Sequence, residues 1–316
     1  MRTMKLGKSD LQVPVVAVGL MHINKIEGKE AEEYVQTCLD IGCNFFETAD
    51  IYGDGVFGYN EEVFAKAAHM SPAVREKMFI QTKCGFTPIR PGEGKPEYIN
   101  TSKDYILKSV DESLRRLQTE YIDVYLLHAP DALLNPEEVA EAFDKVYSAG
   151  KVRYFGVANY NTTRLQLLQK YVKQPIVTNQ LMMSIVNSGL LSRGMYVNMD
   201  DDRAIDRDGG VLDYCWMNDV TVQCWSTMQY GYMGGCFLNN PQFPELNQKI
   251  NEVAAKYGVP ASAIAIAWLL RIPAKLQPVT GTKNVKHLID NAKGADVDLT
   301  HEEWYQIWKA AGNAIR

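Results

Sequence analysis

Residues 122–158 read IDVYLLHAPDALLNPEEVAEAFDKVYSAGKVRYFGVA, and this stretch decides the fold. A short apolar run of the strand type opens it at Ile122 to His128, and another closes it at Tyr154 to Ala158. Between them Asn135 suits a helix N-cap and Gly150 suits a left-handed helix stop. The stretch therefore predicts a β-strand, an α-helix and a second strand parallel to the first.

The same alternation runs from about residue 15 to the C-terminus, which predicts a parallel sheet. Helical segments separate the short apolar runs, so each strand is expected to lie beside the next. Eight strands are expected, at Val15 to Gly19, Asn44 to Glu47, Met78 to Lys83, Ile122 to His128, Tyr154 to Ala158, Ile176 to Asn179, Val220 to Trp225 and Gln277 to Val279.

The positions of polar side chains at the strand ends distinguish a closed barrel from an open doubly wound sheet. In a barrel of this kind the functional residues gather at the C-terminal face. Seven successive strands carry a chemically useful residue there: Glu47 with Tyr52, Lys83, His128, Asn159, Gln180, Trp225 and Thr282. We predict an α/β fold, a (β/α)8 TIM barrel, with residues 1–316 as one domain.

One motif favours the open sheet. Residues 53–58, GDGVFG, match the GxGxxG pattern of dinucleotide-binding folds and follow a predicted strand. That fold places the motif after the first strand and an acidic residue at the end of the next strand, where this sequence has Lys83. We therefore interpret the motif as a chance match.

Two additions to the repeat are expected. Arg2 to Leu6 and Leu11 to Val13 flank a turn and predict a β-hairpin that caps the bottom of the barrel. Thr300 with Glu303 forms a capping-box pattern at the start of a last helix, beyond the eighth unit. A similar pattern, Thr101 with Asp104, is expected to cap the helix after the third strand.

Charge and composition exclude several classes of partner. The chain carries 33 Lys and Arg against 38 Asp and Glu, a formal net charge of −5, and its basic residues are scattered. No nucleic-acid partner is expected. No apolar stretch reaches the roughly 20 residues that span a bilayer, and the first residues lack the apolar run of a signal peptide. We expect a cytoplasmic protein with no membrane contact, and the sequence leaves its oligomeric state open.

Cysteines and acidic residues do not form metal-site patterns. The six cysteines include no C-x-x-C pair, which indicates buried free thiols. The acidic run at residues 198–210 lacks the ligand spacing of a divalent-ion loop, so we interpret it as a solvated loop. No metal is expected.

The rim residues carry a family resemblance. Segments 44–53 (NFFETADIYG), 80–83 (IQTK), 124–128 (VYLLH), 150–160 (GKVRYFGVANY) and 178–180 (TNQ) together resemble the aldo-keto reductase family, in particular bacterial members. The likeness extends from the hairpin to the final helix. It implies the barrel fold and nicotinamide-dependent chemistry on carbonyl groups.

Reduction of a carbonyl by hydride needs a proton donor and a group that holds the carbonyl oxygen. Tyr52 is the expected general acid. A neighbouring Lys83 cation would favour the ionised phenol and so lower the tyrosine pKa. His128 would orient the carbonyl oxygen, and Glu47 would fix the charge and position of Lys83.

Glu47 departs from the family pattern, which has Asp five residues before the tyrosine. The added methylene moves the carboxylate by roughly 1 to 1.5 Å, a displacement that can matter in a pre-organised site. Asp50 lies nearer to Tyr52 but stands where relatives also have Asp. Glutamate at position 47 leaves the rate and the direction of the reaction open.

The resemblance also implies the cofactor contacts. Asn159 and Gln180 correspond to residues that bond the nicotinamide carboxamide, while Ala158 replaces a usual serine. Trp225 corresponds to an aromatic residue stacked beneath the nicotinamide ring.

A second group of residues follows the eighth strand, at the start of a helix. Gly281, Thr282 and Lys283 suit the extra phosphate of NADP, and Asp290 and Asn291 would lie near the adenine. His287 stands where relatives often carry Arg, which weakens the phosphate clamp. NADP(H) is preferred, with NAD(H) as the alternative.

Loops after the strands are expected to set substrate specificity. Their aromatic and sulfur-rich character favours a neutral carbonyl compound, either a sugar or an aromatic ketone. The leading function is NADP(H)-dependent reduction of an aldehyde or ketone. The alternatives are a regulatory or redox-sensing NADP(H)-binding barrel disabled by Glu47, and a sugar or polyol dehydrogenase that oxidises its alcohol substrate. The pocket candidates are Met21, His22, Phe86, Pro88 to Pro96, Met182, Met183, Tyr230 and Tyr232.

Overall fold

The computed structural model describes residues 1–87, 98–197, 199–200, 202–232 and 234–315. Eight parallel strands close into a barrel, which confirms the predicted (β/α)8 fold. The strands follow one another around the barrel in chain order, and the eighth pairs with the first. The predicted stretch Pro88 to Pro96 lies outside the described residues.

All eight predicted barrel strands are present, with boundaries shifted by a few residues. The sixth strand extends three residues further than predicted, so Gln180 lies within it. The fourth strand ends one residue earlier, so His128 lies just beyond it. In chain order the strands are β1 Thr3–Lys5, β2 Gln12–Pro14, β3 Ala17–Gly19, β4 Phe45–Glu47, β5 Phe79–Cys84, β6 Phe86–Thr87, β7 Tyr98–Ile99, β8 Ile122–Leu127, β9 Val152–Ala158, β10 Ile176–Met182, β11 Thr221–Trp225 and β12 Leu276–Thr280.

Helices surround the barrel, and most bury one face, whereas the helix Ala261–Leu270 is buried on all sides from Ala263 to Leu269. Short 3-10 segments at Ile23–Lys25, Asp202–Ala204 and Lys293–Asp296 complete the connections. The helices are α1 Lys29–Asp40, α2 Tyr59–Ala67, α3 Pro72–Arg75, α4 Lys103–Leu117, α5 Pro136–Ser148, α6 Thr162–Tyr171, α7 Gly189–Met195, α8 Val211–Met217, α9 Pro244–Tyr257, α10 Ala261–Leu270, α11 Val285–Ala292 and α12 His301–Ala310.

The predicted hairpin, β1 with β2, closes the N-terminal end of the barrel. Its apolar side chains pack against inward-facing residues of the barrel strands. Gly7 at the turn has a φ of +51°, and its amide donates to Thr221 Oγ1 at 2.9 Å. A Cβ atom there would lie 2.2 Å from the Val177 carbonyl oxygen, so the close approach requires glycine.

Buried amide side chains cross the barrel interior below the C-terminal rim. Gln81 donates to Gln223 and Gln223 donates to Gln277, each at 2.8 Å. Gln277 in turn donates to the Pro14 carbonyl at 2.7 Å. These bonds satisfy polar groups that would be costly to bury alone, and they tie three strands to the hairpin.

The two predicted capping boxes have different outcomes. Thr300 and Glu303 form a complete capping box at the start of α12. The prediction for Thr101 is wrong, because Ser102 is the N-cap of α4. Thr101 donates instead to Asp131 at 2.8 Å. A side chain from α5 satisfies an amide of the first turn, which removes the need for a local cap.

Further predictions concern the cysteines, the acidic run and membrane-spanning segments. Five of the six free cysteines are buried as expected, whereas Cys236 is exposed. The acidic run lies between α7 and α8, where Asp208 forms an ion pair with Arg193. Among the described residues no single helix is long and apolar enough to cross a membrane, although the bent pair α9 and α10 passes that test jointly.

Candidate functional site

The side chains predicted to carry the chemistry meet at the C-terminal rim. Lys83 of β5 is fully buried, and its ammonium donates to three acceptors. These are the Glu47 carboxylate, the Thr48 carbonyl oxygen at 2.8 Å and the Tyr52 hydroxyl at 3.2 Å. A lysine ammonium has three N–H groups, so each of them is used.

Glu47 reaches Lys83 directly. It ends β4 and is buried beside Gly19 at the end of β3. A Cβ atom on Gly19 would lie 3.2 Å from Glu47 Oε2 and 3.0 Å from Val279 Cγ1. The absence of a side chain at Gly19 therefore leaves room for the longer carboxylate.

Backbone hydrogen bonds to β5 fix the loop that carries Tyr52. Thr48 donates its amide to the Gln81 carbonyl at 2.8 Å, and Asp50 donates to the Lys83 carbonyl at 3.1 Å. The Tyr52 amide then closes a turn onto the Ala49 carbonyl at 3.1 Å. Tyr52 is thus held beside Lys83 by the main chain as well as by the hydrogen bond to its hydroxyl.

Although Lys83 lies 3.2 Å from its hydroxyl, Tyr52 has a raised rather than a lowered net pKa. Desolvation by the surrounding barrel wall, followed by the Asp50 carboxyl, raises the tyrosine pKa well above its ordinary value. Burial likewise lowers the pKa of Lys83, and pairing with Glu47 opposes that shift. Tyr52 is therefore a neutral phenol at pH 7, the form that can donate a proton.

His128 lies at the same rim and packs against Tyr52. Its amide donates to the Cys84 carbonyl at 2.8 Å, and its ring meets Tyr52 edge to face at 5.8 Å between centroids. The Phe86 ring packs against it at 4.8 Å. Burial and then the Lys83 charge hold the pKa of His128 well below its ordinary value. The imidazole is neutral at pH 7.

The pKa of His128 predicts a pH dependence of stability. Below pH 6.5 the unfolded chain binds a proton that the folded imidazole resists, so folding should weaken as the pH falls. The slope from one such group is at most about 1.4 kcal/mol per pH unit. Urea unfolding at pH 7.5, 6.5 and 5.5 should therefore show a smaller loss of stability in His128→Gln than in the wild type.

The exposed His301 provides the matched control. His301→Gln should keep the wild-type dependence on pH. If His128→Gln and the wild type lost stability in parallel between pH 7.5 and 5.5, the assignment of a depressed His128 pKa would be wrong.

Asp50 does not replace Glu47 as the partner of Lys83. Its carboxyl oxygens are buried, and among the described residues neither has a hydrogen-bond partner. Burial, and then the nearby Glu61 carboxylate, raise the Asp50 pKa well above its ordinary value. Glu61 itself pairs with Arg116 at 2.6 Å. The wall of the site therefore disfavours the charged form of Asp50.

Three predicted nicotinamide contacts lie next to one another and next to His128. Trp225 Nε1 donates to Asn159 Oδ1 at 3.2 Å, and the Asn159 amide donates to the Gln180 carbonyl at 2.9 Å. Asn159 Nδ2 approaches the His128 carbonyl at 3.4 Å. In the described part of the chain, Gln180 Nε2 is buried without an acceptor. A buried amide donor without an acceptor, together with a partly exposed indole at the end of the neighbouring strand, fits a carboxamide-bearing aromatic ring.

The predicted phosphate site lies at the start of α11. Lys283 and Gly281 are exposed, and Thr282 Oγ1 accepts from the Asn284 amide at 3.1 Å. Asn284 caps α11 by accepting from the His287 amide. An exposed lysine beside a helix N-terminus of this kind can bind a phosphate.

The predicted adenine contacts already have protein partners. Asp290 pairs with Lys286 at 2.5 Å and with Lys293 at 3.0 Å. Asn291 donates to Thr280 Oγ1 at 2.7 Å. Asn291 therefore ties α11 to β12 of the barrel, whereas the ion pairs of Asp290 stay within α11 and the segment that follows it. An adenine contact would have to compete with these bonds.

The predicted pocket residues divide into surface and core. Phe86 and Met182 are partly buried, whereas Met21, His22, Tyr230 and Tyr232 are exposed. The prediction for Met183 is wrong, because this side chain is fully buried in the hydrophobic core. Met182 is the last residue of β10, whereas Met183 lies just beyond the strand and packs into the core.

Some contributors to the site carry no readable signal in the sequence. The Thr48 carbonyl belongs to the backbone, and Gly19 acts by leaving space. Asn60, which holds the carbonyls of Leu20 and Met21, follows the glycine-rich segment that we had interpreted only as a chance dinucleotide motif. Within the described ranges, no group of three or more His, Cys, Asp or Glu residues could hold a metal ion.

Comparisons with known proteins agree with this geometry. The model of the Aldo/keto reductase family matches residues 15–311. The chain is 33% identical over 308 residues to the uncharacterized oxidoreductase YcsN of Bacillus subtilis, covering 95% of each chain. It is 30% identical to a 6-dehydroglucose reductase of Novosphingobium aromaticivorans, covering 97% of this chain and 94% of that one.

A solved structure extends the agreement to three dimensions. A thermostable aldo-keto reductase in complex with the inhibitor epalrestat superposes with a TM-score of 0.77 at 26% identity. The match covers 98% of this chain and all of that chain. The chain is therefore a member of the aldo/keto reductase family, a family of NAD(P)H-dependent oxidoreductases.

Proposed function

We propose that the protein reduces an aldehyde or ketone to an alcohol with NADPH, and that Tyr52 supplies the proton. The observation that carries this proposal is the set of three acceptors around the Lys83 ammonium. Because Lys83 donates to the Tyr52 oxygen, the phenolic hydrogen remains for a substrate oxygen. Lys83 then stabilises the phenolate that forms when this hydrogen is transferred.

His128 positions the substrate oxygen. Its ring is neutral because its pKa is depressed, so it can donate one N–H without adding a charge. The edge-to-face contact with Tyr52 brings both rings to the same rim. A carbonyl oxygen held between them would receive a hydrogen bond from each, which favours the developing alkoxide.

Bound NADPH would supply the hydride. Gln180 and Asn159 would hold its carboxamide, and Trp225 would cover one face of its ring. The orphaned Gln180 Nε2 among the described residues supports this assignment, because a buried amide donor requires an acceptor. Lys283, exposed at the start of α11, supports NADPH over NADH because its charge would attract the additional phosphate that only NADPH carries.

The substrate we infer is a neutral carbonyl compound. Lys25, a cation near the pocket candidates Met21 and His22, is neutralised by an ion pair with Asp54. Aromatic side chains supply much of the remaining surface, as in the contact of Trp225 with Tyr232. Such surfaces suit sugar rings and aromatic ketones alike. The relatives named 6-dehydroglucose reductase support an oxidised sugar as the first candidate.

The direct contact of Glu47 with Lys83 weighs against a barrel disabled by this substitution. Oxidation of a sugar or polyol would use the same residues in reverse, and the ratio of the cofactor forms would set its direction. We infer a cytoplasmic location because the buried, unpaired cysteines suit a reducing compartment.

NADPH oxidation followed by absorbance, with a panel of aldehydes, ketones and oxidised sugars, tests the proposal. We expect turnover of neutral carbonyl compounds and tighter binding of NADPH than of NADH. The preference for NADPH should shrink as salt is raised, because a phosphate contact is screened. Equal affinities at low salt would overturn the assignment of Lys283, and absence of turnover with every compound would overturn the reductase proposal.

A further inference from the structure

Asn60 connects the loop that carries Tyr52 to the loop that carries the first pocket residues. It lies in α2 and is fully buried. Its side-chain amide donates to the carbonyls of Leu20 and Met21, both at 2.9 Å. Its backbone amide donates to the Tyr52 carbonyl at 3.3 Å. One residue therefore touches the main chain on both sides of the pocket.

The hydrogen bonds of Asn60 indicate that the fold uses its side-chain N–H donors. An asparagine amide has two N–H groups, and each one meets a carbonyl of the loop after β3. Its own oxygen is buried and, among the described residues, has no partner. An aspartate of the same shape would put oxygen against both carbonyls, so it could not substitute for the amide.

Packing also holds the loop after β3, since Leu20, Ile23 and Ile26 bury their side chains in the core. The Leu20 amide donates to the Glu47 carbonyl at 2.8 Å, which anchors the start of the loop. Asp54 forms the second link, accepting from Asn24 at 2.7 Å and pairing with Lys25. That link is about half exposed, so solvent and salt weaken it. Asn60 is the buried side chain that bonds the Met21 carbonyl directly, so its loss should loosen the loop at Met21.

We infer that Asn60 is a positioning residue that sets the distance between the Met21 and His22 wall of the pocket and the Tyr52 hydroxyl. It does not touch the substrate. It acts on substrate fit through Leu20 and Met21, whereas its contact to Tyr52 uses the backbone and survives substitution of the side chain. This inference rests on the proposed reductase function.

The test compares Asn60→Ala with the control Asn44→Ala, and Asn60→Asp serves as a second variant of the same residue. Asn44 is the matched control because its Nδ2 also donates to a backbone carbonyl, that of Lys77, at 2.8 Å, before the start of β4. In Asn60→Ala we expect KM for the best carbonyl substrate to rise about tenfold, with kcat and NADPH affinity within about threefold of the wild type. Asn44→Ala should leave all three unchanged.

Amide hydrogen exchange gives a readout that needs no turnover. The amides of residues 21–26 should exchange about tenfold faster in Asn60→Ala and Asn60→Asp than in the wild type and Asn44→Ala. A KM rise no larger than that of Asn44→Ala would overturn the inference. An equal loss of kcat and kcat/KM would also overturn the inference, as would unchanged amide exchange at residues 21–26. If the wild type reduces no carbonyl, the reductase proposal fails while the exchange data still decide the role of Asn60.

Discussion

Replacing Tyr52 with phenylalanine is expected to lower kcat by about 10²- to 10⁴-fold, the usual contribution of a general acid. The substitution removes the hydroxyl that accepts from Lys83 at 3.2 Å and that would protonate the alkoxide. Since the phenylalanine ring fills the same space, the fold and the affinity for NADPH should change little. Steady-state kinetics and cofactor titration measure the two effects separately.

Tyr154→Phe is the matched control for this experiment. Its hydroxyl donates to Asp10 at 2.7 Å, next to the turn of the N-terminal hairpin, and takes no part in the proposed chemistry. Its kcat should equal that of the wild type. If Tyr52→Phe also kept the wild-type kcat, another group would have to be the proton donor.

Replacing Glu47 with alanine is expected to cost about 3 to 5 kcal/mol of stability, the range for breaking a buried ion pair. The ammonium of Lys83 is fully buried and would keep only the Thr48 carbonyl and the Tyr52 hydroxyl. Desolvation would then favour neutral Lys83, which stabilises a phenolate poorly. Urea unfolding should show the loss of stability, and turnover should fall with it.

A surface ion pair supplies the control. Asp219 pairs with Lys275 at 2.8 Å, and both side chains are about half exposed. Asp219→Asn, which removes the charge but tolerates the left-handed backbone at a φ of +52°, should therefore cost less than about 1 kcal/mol. Glu47→Asp tests the competing explanation, in which glutamate at this position disables the enzyme. The space beside Gly19 fits the longer glutamate side chain, so we expect no gain of turnover from aspartate. Gain of turnover in Glu47→Asp from an inert wild type would contradict a working site built on glutamate.

The barrel and its rim were predictable because both depend on local pattern. Apolar runs separated by helical segments predict parallel strands, and the carboxyl ends of such strands meet at one face. That rule is sufficient to bring Glu47, Lys83 and His128 together. The helix caps that use near neighbours, such as Thr300 with Glu303, were predictable for the same reason.

The parts that were not predictable depend on contacts between distant segments. Thr101 bonds Asp131, thirty residues away, so its cap pattern is misleading. The raised pKa of Tyr52 follows from desolvation, which outweighs the charge of Lys83 and has no local sequence pattern. The space at Gly19 that accommodates Glu47 is likewise visible only once β3 and β4 are paired.

Hydride transfer at the Tyr52 and His128 rim is the central claim, and isotope transfer tests it most directly. The protein would be given NADPH deuterated at C4 of the nicotinamide, on each face in turn, with its best carbonyl substrate, and the alcohol analysed by mass spectrometry. We expect one deuterium on the carbinol carbon from one face only, and we expect Tyr52→Phe to form this product far more slowly. Alcohol without deuterium from either face, or labelled alcohol formed at the same rate by Tyr52→Phe, would contradict it.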